Sequence, residues 1–352
     1  MKTVLIDVYK AKLPYSGLGQ FSIHLAANLQ RSKTDGMEFH FLYPEFDNSW
    51  IDSEKHVHKA NWKTRYLPSI GRSFDLWHSI QQFPSHKPPA NTPQLLTIHD
   101  LNFLVEKTPA KAAKYLRRLQ KNVDNALALS TISEFTKAEI SKHIDLNGKK
   151  VHVIYNGIPA IDGKEKNRPK GIPDAPFLFS MGIFNAKKNF LSLLPMMQHI
   201  PSFMLILAGD HETSYGSELK NEISNLGIEK QIILLGKVND SEKQWLYSEC
   251  SAFVFPSIAE GFGMPIIEAM QYGKPVICSN YSALPEIGGS IACYFQSFDP
   301  LEMSNTVLNE IENFNQNQSL RKKEAQRYAE KFNWNECSAA YIHLYKELLN
   351  LA

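Results

Sequence analysis

Two glutamates, Glu260 and Glu268, bracket the stretch Gly261-Phe-Gly-Met-Pro-Ile-Ile267, and the apolar run Ala252-Phe-Val-Phe255 with Pro256-Ser257 leads into them. This order reads as a strand, a glycine loop and a helix, with one carboxylate on each side of the loop. Pro265 suits the first helical position, where an N–H has no partner within the helix. Gly261 and Gly263 clear side chains from a backbone that approaches a ligand. Loop N–H groups and the helix dipole favour an anionic or hydroxyl-rich guest. Glu268 is expected in the opening turn, pointing back at that guest, because helical side chains lean toward the N-terminus. Two acceptor-only carboxylates around a set of donors suit a sugar plus a phosphate better than a metal ion, since no His or Cys stands beside them. The plain alternative is an ordinary strand-to-helix turn with solvated acids.

Two glutamates separated by seven residues, with Gly-Phe-Gly-Met-Pro between them, resemble the donor-site motif of retaining GT-B glycosyltransferases of the group 1 (family 4) class. By that resemblance Gly261, Phe262, Gly263, Met264 and Glu268 bind the donor, with Glu268 on ribose hydroxyls and Glu260 on a sugar hydroxyl. Other segments resemble the family in chain order. Tyr15-Ser-Gly17-Leu-Gly19 opens a helix beyond the first strand, as the family's glycine loop does. A dinucleotide fingerprint would want glycine where Ser22 stands, so an NAD oxidoreductase fits poorly, although Glu45 lies near the end of a second strand. His99-Asp100-Leu follows a strand, so both polar side chains project at a carboxyl edge. An isolated histidine is more often structural; the resemblance instead makes His99 a hydrogen-bond partner near the donor sugar. Asp100 either orients a loop or touches substrate.

Met181-Gly-Ile183-Phe-Asn-Ala-Lys187-Lys188-Asn189 resembles the family's diphosphate-binding segment, and Lys188 falls on its lysine. An ammonium before a helix start suits a diphosphate, against the alternative of a solvated lysine. The sequence departs from the family at Ile183, where many members carry Arg; Lys187 is the candidate to supply that charge. Gly209 in Ala208-Gly-Asp210 and Val238 in Gly236-Lys-Val238 resemble segments beside the nucleotide base. Lys111, Lys114, Arg117, Arg118 and Lys121 crowd one helix with Tyr115, Leu116 and Leu119. Together with the segment 61–67 they fit peripheral contact with anionic membrane, where lipid-linked acceptors lie, against the alternative of a solvated basic face.

The resemblance implies transfer with retention by front-face attack, with no enzyme nucleophile, no metal and no cofactor. The donor it implies is a nucleotide diphosphate sugar, GDP-mannose first and a UDP-hexose second. The acceptor is a glycan or lipid-linked glycan in polysaccharide biosynthesis. It also implies a cytoplasmic enzyme at the inner face of the membrane. A non-hydrolysing nucleotide-sugar epimerase and a non-catalytic nucleotide-sugar-binding protein are the competing functions.

The elements that position these residues alternate. Strands are expected at 3–8, 38–43, 75–80, 94–98, 126–131 and 151–155, with helices at 19–31, 109–125 and 134–142, the last capped by Ser133. After a proline-rich break, strands follow at 177–181, 203–208, 232–235, 252–255 and 276–278. This pattern predicts an α/β protein of two doubly wound domains with parallel sheets. The expected divisions are 1–160, a surface linker at 161–176, and a donor domain at 177–333. A final helix, 334–352, is expected to return to the first domain, as in GT-B enzymes, with the site in the cleft between domains. The length of 352 residues suits two domains, and a net charge of +2 is too mild to argue for nucleic acid. The four cysteines form no Cys-x-x-Cys pair and read as buried thiols of a reducing compartment. The first eight residues read as a strand, being too short for a signal segment.

Overall fold

The computed structural model describes residues 1–32, 34–44, 56–60, 73–161, 163 and 165–351. Glu45, the segment 61–67 and Lys164 lie outside the described residues. The chain forms two compact units, Met1–Pro159 with Phe332–Ala352, and Ala160–Lys331.

In the first unit, short runs of Val, Leu, Ile and Phe form parallel strands, because a sheet covered on both faces buries every residue of its central strands. They are β1 (Lys2–Asp7), β2 (Met37–Pro44), β3 (Val57–Ala60), β4 (Leu76–Ser79), β5 (Gln94–Ile98), β6 (Ala128–Thr131) and β7 (Val151–Val153), ordered β3-β2-β1-β4-β5-β6-β7. Every residue of β4 and β5 is buried. The connecting helices include α1 (Gly17–Arg31), α2 (Pro109–Asn125) and α3 (Glu134–His143). Ser16 and Ser133 cap α1 and α3, their hydroxyls accepting from the N–H groups of Gly19 and Thr136.

The second unit repeats the scheme with β8 (Phe177–Met181), β9 (Met204–Ala208), β10 (Ile232–Gly236), β11 (Ala252–Phe255), β12 (Val276–Ser279) and β13 (Cys293–Phe295). Their order is β10-β9-β8-β11-β12-β13, and all pairs are parallel. Its helices include α4 (Ser214–Asn225), α5 (Asp240–Glu249), α6 (Met264–Gln271), α7 (Pro300–Gln316) and α8 (Gln318–Ala329). Strand order reverses between β8 and β11. In doubly wound sheets ligands bind beyond the carboxyl ends of the strands at such a reversal.

The last helix, α9 (Trp334–Leu348), belongs to the first unit. Its spacing puts Trp334, Tyr341, Leu344 and Tyr345 on one buried face, packed with Phe21 and Leu25 of α1. Tyr345 Oη lies 2.7 Å from His78 Nδ1, and His78 Nε2 lies 2.7 Å from Thr97 Oγ1, so both ring nitrogens of the buried His78 have partners, one of them on this helix.

The expected linker, 161–176, groups with the second unit, and most of its described residues are exposed, as expected of a surface segment. Ile172 is buried, the Asn167 side chain donates to Ser241 Oγ, and the Arg168 guanidinium stacks 5.3 Å above Trp245. The prolines that suggested a linker shape a docked, extended segment. One correction concerns strand number. The sequence reading contains neither β3 nor β13, which are edge strands of four and three residues and too short to carry a periodic signal.

Candidate active site

The turn after β8 and the loop after β11 meet at the switch point of the second sheet. Lys188 closes a 3-10 turn, Ala186–Lys188, and its Nζ donates to Glu260 Oε1 at 2.6 Å. Ser257 Oγ donates to the same oxygen at 2.6 Å. The ammonium also sits 4.7 Å from the centre of the Phe255 ring, a cation–π contact at the end of β11. The two loops are laced by backbone as well. The Lys187 carbonyl accepts from Ile258 N–H at 2.8 Å, and in addition Glu260 N–H donates to the side-chain Oγ of Ser282, after β12, at 2.9 Å. Burial opposes the charge of Glu260, but Lys188, Lys187 and the hydrogen bonds from Lys188 and Ser257 outweigh it and hold this carboxyl below its usual value. The result is a carboxylate–ammonium pair with both side chains only 12% and 13% exposed, and with Lys187 as a second cation nearby.

Gly263 stands at the N-cap of α6 with φ 102°, and a Cβ there would meet Leu284 Cδ2 at 2.5 Å. Glycine is therefore required by backbone and packing together. Gly261 and Phe262 are buried beside it. The helix begins at Met264, one residue earlier than expected, so Pro265 is its second residue and Glu268 lies in the second turn, not the opening one. Glu268 is also anchored. Tyr247 Oη donates to its Oε2 at 2.8 Å and Lys243 Nζ to its Oε1 at 3.3 Å, both from α5. Tyr247 is buried, and burial together with the neighbouring Glu268 charge raises its phenol well above the ordinary value, so it stays a donor. The Glu268 charge in turn raises Lys243.

Gly209 leaves β9 where a Cβ would lie 2.0 Å from the Gly182 carbonyl oxygen, so the carboxyl ends of β8 and β9 nearly touch. Val238 directly precedes Asn239, which caps α5. Ile183 is 51% exposed at the end of β8.

The remaining candidate residues belong to the first unit. His99 is buried at the end of β5, with Nε2 2.8 Å from the Ile80 carbonyl and its ring edge-on to Phe21. Burial pushes its pKa down to about 4, so the ring is neutral at pH 7. The Ile80 carbonyl fixes the proton on Nε2 and leaves Nδ1 as an acceptor. Asp100 Oδ1 accepts from Asn102 N–H at 3.0 Å, which orients its own loop. Gly19 is explained by packing, since a Cβ would meet the Leu13 carbonyl oxygen at 1.9 Å, and its N–H is used by the Ser16 cap. Gly17 opens the same helix. The basic residues of α2 are all exposed, Tyr115 and Leu116 are partly buried against the core, and Leu119 is buried in it. Among the described residues no helix is long and apolar enough to cross a membrane.

Sequence reasoning missed Ser257, Tyr247, Lys243 and Ser282. Tyr247, Lys243 and Ser282 act through partners distant in sequence, whereas Ser257, three residues before Glu260, offered a local signal.

Comparison with known proteins follows the same division. Residues 15–160 match the family described as Glycosyltransferase Family 4, and residues 162–323 match Glycosyl transferases group 1. The chain belongs to the group 1 glycosyltransferases. It is therefore a hexosyltransferase-class enzyme, and its doubly wound pair of units is the GT-B fold. The O-antigen chain mannosyltransferase B of Escherichia coli is 25% identical over 96% of this chain and 97% of its own length. The O-antigen chain mannosyltransferase RfbU of Salmonella typhimurium is 28% identical over 64% of this chain and 62% of its own. Among solved structures, the sucrose-phosphate synthase of Thermosynechococcus elongatus superposes with a TM-score of 0.76 at 18% identity, covering 100% of both chains. Anabaena HepE in complex with UDP and glucose gives 0.72 at 19% identity, over 98% of this glycosyltransferase and 99% of HepE.

Proposed function

We propose that this glycosyltransferase moves a mannosyl group from GDP-mannose to a hydroxyl of a glycan or lipid-linked glycan in polysaccharide synthesis, with retention at the anomeric carbon. A UDP-hexose is the second donor to test. The observation that carries the proposal is the Lys188–Glu260 pair at the β8–β11 switch point, backed by Lys187 and by the amino end of α6. The mannosyltransferase relatives support the choice of sugar.

Breaking the bond between anomeric carbon and diphosphate oxygen builds negative charge on the leaving group. Preorganised cations and N–H groups stabilise that charge more than they stabilise the ground state. Lys188 is the group for this work, with Lys187 in place of the arginine that Ile183 displaces. Glu260 aims the Lys188 ammonium, and its second carboxylate oxygen accepts from a sugar hydroxyl. Glu268 accepts from the ribose hydroxyls, and Tyr247 and Lys243 hold it in place for that contact. His99, neutral with the proton on Nε2, accepts from a hydroxyl at Nδ1. None of these groups is asked to act as a nucleophile, in contrast to the paired carboxyls of a retaining glycosidase. The charge goes to protein cations, so no metal enters the scheme.

The test is a panel of purified nucleotide sugars, with and without candidate acceptors, read for released nucleotide. GDP released from GDP-mannose only when acceptor is present supports the proposal. A new sugar nucleotide would indicate an epimerase, and a thermal shift without turnover would indicate a binding protein.

A further inference from the structure

At the opposite, outer edge of the first unit's sheet, four titratable side chains meet on two adjacent strands. Side chains alternate along a strand, so Glu38 and His40 share one face of β2, and His56 and His58 flank Val57 at the start of β3. The parallel register sets Val57 beside Phe41, and Phe41 N–H donates to the His56 carbonyl. That brings His56 next to His40. Glu38 Oε1 lies 2.6 Å from His40 Nε2 and 3.1 Å from His56 Nδ1. One ligand atom from each of these three residues falls within 4.8 Å of the other two.

We propose that Glu38, His40 and His56 form a binding site for a divalent transition-metal ion of the zinc class. The donor set of two imidazoles and one carboxylate suits such an ion and not a hard cation, which takes oxygen ligands. Zinc holds nitrogen and oxygen at about 2.0–2.2 Å, so neighbouring ligand atoms in a tetrahedron sit about 3.3 Å apart. The observed separations reach that spacing with small side-chain shifts. A second observation supports the site. The far ring nitrogen of His40, Nδ1, is 3.0 Å from His58 Nε2, and Phe74 packs edge-on against both rings. Ligating histidines are oriented in this way by a partner on the other nitrogen. His40 is 1% exposed, whereas His56 is 42% exposed, so a water completes the coordination from the solvent side. Bound there, the ion ties the edge strand β3 to β2. Glu38 and His40 are neighbours on one strand, but His56 is joined to them only by strand register, so no motif announces the set.

The experiment uses the tag-free full chain, stripped with chelator and then titrated with zinc by calorimetry. Cobalt is the optical probe. The site predicts one zinc per chain, a raised melting temperature, and the visible absorption of tetrahedrally bound Co²⁺, with excess Mg²⁺ failing to displace either metal. His56→Ala and Glu38→Gln each weaken binding at least tenfold. His58→Ala weakens it about tenfold through loss of orientation. His56 is exposed, so its variant folds even where a change at buried His40 does not. Failure of zinc to bind overturns the proposal, and so does binding that is unchanged in His56→Ala and Glu38→Gln.

Discussion

Lys188 and Glu268 divide the expected work at the scale of single residues. Lys188→Ala removes the cation that faces the leaving group, and turnover should fall at least tenfold and toward a hundredfold, or about 3 kcal/mol in the barrier. The same change leaves the largely buried Glu260 without its ammonium, which also destabilises the second unit. Turnover is therefore measured well below the melting temperature of the variant, with circular dichroism as the check on folding. Wild-type turnover would place the diphosphate elsewhere. Glu268→Ala should abolish nucleotide binding in a calorimeter, and unchanged affinity would remove Glu268 from the site. Tyr247→Phe is the finer test. Losing one hydrogen bond to a charged acceptor costs about 1.5 kcal/mol, so nucleotide affinity should fall roughly tenfold while turnover at saturating donor changes little. A purely structural tyrosine would lower the melting temperature without touching that affinity.

The elements explain what was legible in the sequence and what was not. Glu260, Gly263 and Glu268 were readable because strand, loop and helix are contiguous there, and Lys188 because it follows a clear strand. Tyr247 was not, because it reaches Glu268 from α5 across the packing of two helices. The docking of 161–176 was hidden by prolines that look the same in a linker and in an extended docked segment. The central strands were visible as apolar runs, whereas β3, with His58 and Lys59 in four residues, reads as polar chain. Gly263→Ala tests the loop-to-helix transition. The strained φ and the clash with Leu284 should cost about 1–3 kcal/mol, seen as a lower melting temperature. The interior of the first sheet predicts a pH dependence. Burial lowers His78 to about 3 and His99 to about 4 from an ordinary 6.5, so below pH 6.5 only the unfolded chain takes up those protons and stability falls as pH falls. Burial raises Asp7 from 3.8 to about 7, which works in the opposite direction over the same range. Two histidines outweigh one aspartate, so stability should drop by about 1.4 kcal/mol per pH unit from 6.5 toward 4. Hydrogen exchange of the β4 and β5 amides measures this, and Asp7→Asn should roughly double the slope. A flat profile would contradict the neutral, buried histidines.

For the molecule as a whole, the two units carry different tasks in the proposed reaction, and only the second should respond to nucleotide. Hydrogen-exchange protection on adding GDP is expected in the loops after β8 and β11 and along α6. Chelator should leave turnover unchanged while removing the zinc proposed at the β2–β3 edge. The most direct measurement is a crystal structure with an intact, non-transferable GDP-mannose analogue. The diphosphate is predicted within hydrogen-bonding distance of Lys188 Nζ, with the ribose hydroxyls on the Glu268 carboxylate. A diphosphate bound away from the carboxyl ends of β8 and β11 would contradict the account.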